Sequence, residues 1–190
     1  MHILLFGGAF DPVHNAHLDI ARAVVAHTIA DQVWLVPCAQ HPFGKAMSSA
    51  RDRLNMLELA VNELSDAHVS VNTYELDQPE VSFTFDTISH FAATEPEHTF
   101  SWLIGSDQLP SFTRWKNWQQ LIKNFTVYVY PRQDFDFEQL QEAMIALKQL
   151  PLVTLSSTFI RKSVQNGKDI GSFVSKPVAD YIEKHSLYVK

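Results

Sequence analysis

Cysteine occurs once in 190 residues, at Cys38, so no intrachain disulfide exists and a lone thiol fits a reducing compartment. Beside the apolar run 32–37 that thiol reads as a small hydrophobe. Basic residues are in the minority, 15 Lys and Arg against 21 Asp and Glu, for a formal charge of −6. That balance disfavours a general nucleic-acid binder or a polybasic membrane binder. It leaves room for a small anionic ligand, because a local cluster of donors focuses positive potential inside an acidic protein. Long hydrophobic runs are missing. The N-terminal run Ile3–Phe6 is short and has no basic flank, so it reads as neither signal peptide nor membrane span. Repeats, low-complexity tracts and long linkers are missing too, and hydrophobic residues make up 46%. The expectation is a cytoplasmic globular protein: a single domain over residues 1–190, with a helical C-terminal part from about residue 156 packed on it.

Short apolar runs alternate with helix-period segments, the pattern of an α/β fold with a mostly parallel, doubly wound sheet and helices on both faces. Strands are expected at Ile3–Phe6, Val33–Val36, His68–Leu76, Phe100–Ile104, Thr126–Tyr130 and Leu152–Leu155. Helices are expected at Asn15–Ile29, Ala50–Leu64, Phe85–Thr94, Trp115–Asn124, Phe137–Leu150, Thr158–Asn166 and Pro177–His185. Ser49-x-x-Asp52 resembles a capping box for the second helix, and Gly167 sits where a helix C-cap wants glycine. Ligands of such sheets lie outside the carboxyl ends of the strands. The residues to weigh are those just after each strand.

After the first strand stands Gly7-Gly8-Ala9-Phe10-Asp11-Pro12-Val13-His14-Asn15-Ala16-His17. Two glycines let the chain turn sharply and let a ligand approach the backbone amides, and the helix start beyond them makes an anion site. His14 and His17 share the first helical turn, so both imidazoles can meet one phosphate and stabilise charge that grows on it. After the last strand stands Ser156-Ser157-Thr158-Phe159-Ile160-Arg161. The hydroxyls there cap a helix, while Arg161 has the planar fork that grips phosphate oxygens. Other phosphate and metal motifs fail. Ala39 and Lys162 occupy the glycine places that a P-loop at Gly44-Lys45 or Gly167-Lys168 needs. G-x-G-x-x-G is not present, and neither is H-E-x-x-H or an evident third zinc ligand beside the two histidines, so no protein metal site is expected. His90 and His98 read as surface residues.

Gly7–His17 resembles the G-G-x-F-D-P-x-H-x-G-H signature of the nucleotidyltransferase superfamily, and Ser156–Arg161 its second signature, S-S-T-x-I-R. With Leu35-Val36-Pro37, Arg53-Leu54-x-Met56-Leu57, Ser82–Thr87, Ile104–Asp107, Trp115 and Asp180–Glu183, the chain resembles the bacterial nicotinate (nicotinamide) mononucleotide adenylyltransferases along nearly its whole length. The resemblance implies a Rossmann-like sheet and transfer of AMP from ATP to a mononucleotide, with release of pyrophosphate. The acceptor's phosphate attacks the α-phosphorus directly, so positioning and charge stabilisation do the catalysis, with Mg²⁺ carried by ATP. By motif position it implies His14, His17 and Arg161 as catalytic residues. Gly7, Gly8, Phe10, Asp107, Ser157 and Thr158 would join them in holding ATP, and Lys45, Thr84 and Trp115 would hold the mononucleotide. An aromatic at the Trp115 position stacks on the pyridine ring in that family. The implied partners are ATP and nicotinate mononucleotide, with no nucleic acid and no membrane; a homo-oligomer is left open.

Three departures stand out. Ala16 replaces a signature glycine, Gln40–Lys45 replaces the family's P-P-H-K so that Lys45 aligns only with a shift, and Ser106 stands where many relatives have Ala. The alternatives are the same transfer to nicotinamide mononucleotide or phosphopantetheine, or a paralogue that binds a nucleotide without turning it over.

Overall fold

In the computed structural model, residues 1–40, 44 and 46–189 are described. Strands β1 (His2–Gly8), β2 (Gln32–Pro37), β3 (Val69–Val71), β4 (Thr99–Gly105), β5 (Thr126–Tyr130) and β6 (Met144–Ala146) form one sheet in the order β3-β2-β1-β4-β5-β6. Every pairing is parallel. The helices are α1 (Asn15–Ala26), α2 (Ala50–Leu64), α3 (Thr84–Thr94), α4 (Leu109–Phe112), α5 (Trp118–Asn124), α6 (Ser157–Gln165) and α7 (Lys176–Lys184). No helix among the described residues is long and apolar enough to cross a membrane.

Period-two alternation along β1 decides how the layers assemble. Leu4 and Phe6 point to a core shared with Leu18 and Val24 of α1, Met56 and Leu57 of α2, Ile160 of α6 and Val178 and Ile182 of α7. Ile3 and Leu5 point to the opposite core, with Ile88 and Phe91 of α3, Phe112 of α4 and Leu121 of α5. The C-terminal helices therefore bury their apolar stripes in the same core as the first crossover. Ser49 caps α2 as its sequence suggests, accepting from the Asp52 N–H at 3.1 Å.

Residues 137–150 depart from expectation. The apolar positions recur every three or four residues there, yet the segment holds no α-helix; it contains edge strand β6, paired with β5. Met144 is buried in the α3–α5 core, whereas Leu147 and Leu150 are buried in the opposite one. One helical stripe faces one core, so a chain that wraps the sheet edge and serves both must be extended and turned. The strand expected at Leu152–Leu155 reduces to a single bridge between Val153 and Arg132. The third strand stops at Val71, and the helix expected at Trp115–Asn124 starts only at Trp118, as α5, which leaves Trp115 in a turn.

Candidate active site

The order of the sheet reverses between β1 and β4, and a crevice opens there at the carboxyl ends of the strands. It is a cavity of about 320 Å³. Its walls bring together Gly7, Gly8, Phe10, His14, His17, Thr84, Asp107, Trp115 and Ser157, nine residues chosen from sequence.

At one end, the turn after β1 is held by bonds from distant elements. Arg53 of α2, fully buried, donates to the carbonyls of Ala9 (2.7 Å) and Cys38 (2.7 Å), and also to those of Ala39 and Ser48. Ser157 Oγ donates to the Pro12 carbonyl at 2.9 Å. A methyl on Gly7 would overlap the Trp102 indole, and one on Gly8 would press on the Phe10 ring. Phe10 itself is left-handed, at φ 48°, with its ring buried against Phe6 and His17.

The two imidazoles lie stacked, their centroids 3.6 Å apart. His17 Nδ1 accepts the His14 backbone N–H at 3.2 Å, which puts the His17 proton on Nε2, where it can be donated outward. His14 Nδ1 is buried without a partner. Burial, reinforced by the Arg132 guanidinium, pushes His14 down to about 3. Burial, then the neighbouring His14 and Arg132, hold His17 well below the ordinary imidazole range. Both are neutral donors at pH 7. The start of α1 adds less than expected, because the Asn15 N–H is taken by the Phe173 carbonyl.

Arg161 and Thr158 are not brought to the cavity wall. Arg161 Nη1 donates to the Asp11 carbonyl and Nη2 to the Thr158 hydroxyl, so the guanidinium braces the turn from behind. Lys45 lies outside the described residues. Ala16 packs its methyl against the α1–α2 core instead of the cavity.

Four charged wall residues escaped the sequence reading. Arg132 follows β5, with Nε 3.5 Å from Asp107 and Nη1 donating to the Leu155 carbonyl at 2.8 Å. Its place just past a strand end was the available signal. Glu75 is buried, accepts the Thr87 hydroxyl at 2.7 Å, and is pushed upward by burial. Arg114 and Lys116 flank Trp115 at the far end, with Lys116 on Asp86 at 2.9 Å and over the Phe83 ring. That end also receives the start of α3, whose N-cap Phe83 has no side chain able to cap it.

The model of the cytidylyltransferase-like family matches residues 5–163. The chain is 36% identical to a probable nicotinate-nucleotide adenylyltransferase of Cytophaga hutchinsonii, covering 99% of this chain and 98% of that one. A protein of the same name from Neisseria meningitidis serogroup B is also 36% identical, with 98% of each covered. The chain belongs to the nicotinate-nucleotide adenylyltransferase family. Its fold matches that of Plasmodium falciparum nicotinic acid mononucleotide adenylyltransferase complexed with NaAD, at a TM-score of 0.84 and 23% identity, covering 98% of this chain and 97% of that one. Residues of the first signature and Ser156 and Ser157 of the second thus line one crevice, together with the aromatic residue that the resemblance assigns to the acceptor.

Proposed function

We propose that the protein transfers AMP from MgATP to nicotinate mononucleotide, forming deamido-NAD and pyrophosphate. One observation carries the reading: the turn 7–17, the start of α6 and Trp115 line a single cavity, so a triphosphate and an acceptor ring fit side by side. A phosphate oxygen of the mononucleotide attacks the α-phosphorus, the new P–O bond forms, and the bond to the β-phosphate oxygen breaks. No enzyme nucleophile is required, and Mg²⁺ enters with the polyphosphate.

His17 Nε2–H and the adjoining His14 donate to the phosphates as charge redistributes, in a wall that Phe6, Phe10 and Tyr130 keep poor in water. Arg132, close enough to depress both imidazoles, supplies the fixed positive charge. Gly7 and Gly8 allow backbone approach, Ser157 lines the phosphate end, and Asp107 meets the ATP ribose. A direct grip by Arg161 and Thr158 requires the guanidinium to exchange the Asp11 carbonyl for a phosphate oxygen, a swing within reach of a long side chain. Lys45 remains a candidate phosphate contact on the acceptor. Trp115 and Thr84 bracket the pyridine ring. The start of α3, where the Phe83 side chain offers no cap, supports a ring carboxylate over a carboxamide, while Lys116 is held on Asp86.

The test is pyrophosphate release from ATP with nicotinate mononucleotide, nicotinamide mononucleotide and phosphopantetheine. The expected order is nicotinate first by at least tenfold. Preference for another acceptor reassigns the substrate, and no release with any acceptor leaves a nucleotide-binding paralogue.

A further inference from the structure

Tyr188, beyond α7, reaches back to the loop after β1. Beyond α7 the backbone reverses through two left-handed residues, Ser186 (φ 49°) and Tyr188 (φ 63°). The Leu187 N–H closes on the Ile182 carbonyl at 3.0 Å, and that of Ser186 on Glu183 at 3.1 Å. Residues other than Gly or Asn seldom take this conformation, so something must hold it. Two contacts do. The Tyr188 ring packs against the α1–α2 core, and its hydroxyl donates to Asp11 Oδ1 at 2.7 Å, across 177 positions of sequence.

Asp11 is the buried centre of the turn between β1 and α1, 4% exposed. Its Oδ2 accepts the Ser48 N–H at 3.3 Å, and its carbonyl accepts Arg161. On either side of it stand Phe10 and His14, both in the cavity wall. A carboxylate taken this far from water demands donors, and among the described residues Tyr188 supplies the shortest bond to it. Tyr188 itself lies outside the wall.

We propose that Tyr188 is a positioning residue for adenylyl transfer: its hydroxyl straps the C-terminal tail to Asp11 and so fixes the turn that carries Phe10 and His14. The proposal rests on the transferase reading for its kinetic consequence, but not for its structural one. The Tyr188 hydroxyl is held far above its ordinary range by burial, so it stays a donor at any working pH. Misplacing phosphate contacts by about 1 Å is enough to cost one to two orders of magnitude in rate.

The experiment compares wild type, Tyr188→Phe, Asp11→Asn and the double variant. Phe keeps the ring packing and removes the single hydroxyl, whereas Asn keeps an oxygen that can accept it. Hydrogen exchange of the peptide covering residues 7–17, measured without substrate, should accelerate about tenfold in Tyr188→Phe. With substrates, kcat should fall about fivefold while KM for nicotinate mononucleotide moves less than twofold. Asp11→Asn should lose less, and adding Tyr188→Phe to it should bring both readouts to the level of Tyr188→Phe alone and no further. Unchanged exchange together with kcat within twofold of wild type overturns the strap, even if the melting temperature falls. Additive effects in the double variant overturn it as well. Wild-type protein inactive on every acceptor would remove the transferase reading, and the exchange data would still judge the strap.

Discussion

At the phosphate end of the cavity, a turn of about ten residues carries most of the polar groups, and bonds from α2, α6 and the C-terminal tail immobilise it. At the acceptor end, the wall is gathered from residues 75 to 116: Glu75 before α3, the first residues of α3 itself, and the turn between α4 and α5. The phosphate end presents neutral imidazoles beside a fixed guanidinium. The acceptor end presents an indole, the Glu75 carboxyl, Arg114, the Lys116–Asp86 pair and an uncapped helix start. Chemistry common to every triphosphate needs one rigid geometry, whereas ring recognition needs separable contacts that can change one at a time. Damage at the two ends should therefore appear in different kinetic constants.

The largest separation is expected from His17→Ala, which removes a donor to the reacting phosphates. Such a donor is worth roughly 2.7–4 kcal/mol, so kcat should drop by at least about 100-fold at nearly unchanged stability. Steady-state kinetics with urea melts on the same sample check it. A loss under tenfold with intact folding would take His17 out of the transition state and blur the division.

The two ends also titrate in opposite senses. His14 falls from 6.5 to about 3 on burial, so the folded state refuses a proton that the unfolded chain accepts between those values. The stability tied to this is fully present above pH 6.5 and is lost as pH falls toward 3. Between pH 7 and 5 it amounts to about 2 kcal/mol, and His17 adds loss of the same sign. Glu75, pushed upward by burial, works the other way: above the ordinary carboxyl range the unfolded chain releases a proton that the fold retains, so stability falls as pH rises. Urea midpoints at pH 7 and pH 5 should drop less in His14→Asn than in wild type. Equal drops would mean that His14 is not held neutral by the fold.

Trp115→Ala probes the acceptor end. Stacking contributes about 0.5–1.5 kcal/mol beyond area burial, so KM for nicotinate mononucleotide should rise roughly tenfold, with KM for ATP little changed. Phe at this position should restore most of the loss. A core role predicts that both constants rise together and the melting temperature falls. The contact of Trp115 with Phe112, ring centroids 5.2 Å apart, makes that outcome a fair rival to exclude.

How much of this was legible in the sequence follows from the same contrast. The phosphate end is local: glycines, histidines and the turn lie within one short segment after a strand, so spacing alone brings them together. Its partners are distant, and nothing in Arg161 itself says that the guanidinium meets the Asp11 carbonyl instead of the cavity. Arg132 sits just past β5, a place the sheet marks as important, but one arginine beside a proline carries no pattern. Glu75, Arg114 and Lys116 become neighbours only once α3 and the α4–α5 turn fold over the sheet edge. Residues 137–150 mislead for a related reason: spacings of three and four arise both from a helix and from a chain that feeds first one core and then the other.

The smallest effect is expected at Ala16, where the family signature has glycine. If that position approached the nucleotide, removing the methyl would tighten ATP binding. In the structure the methyl packs with the α1–α2 core and does not line the cavity, which predicts a different result. Ala16→Gly should leave KM for ATP and kcat within twofold of wild type. It should lower stability by about 0.5–1 kcal/mol, because glycine inside a helix loses more backbone freedom on folding and leaves the core contact unmade. Urea denaturation and ATP titration of the one variant decide it. A several-fold fall in KM for ATP at unchanged stability would mean that Ala16 faces the nucleotide after all, and that the phosphate end is less tightly set than its bonds to Arg53, Ser157 and Tyr188 imply.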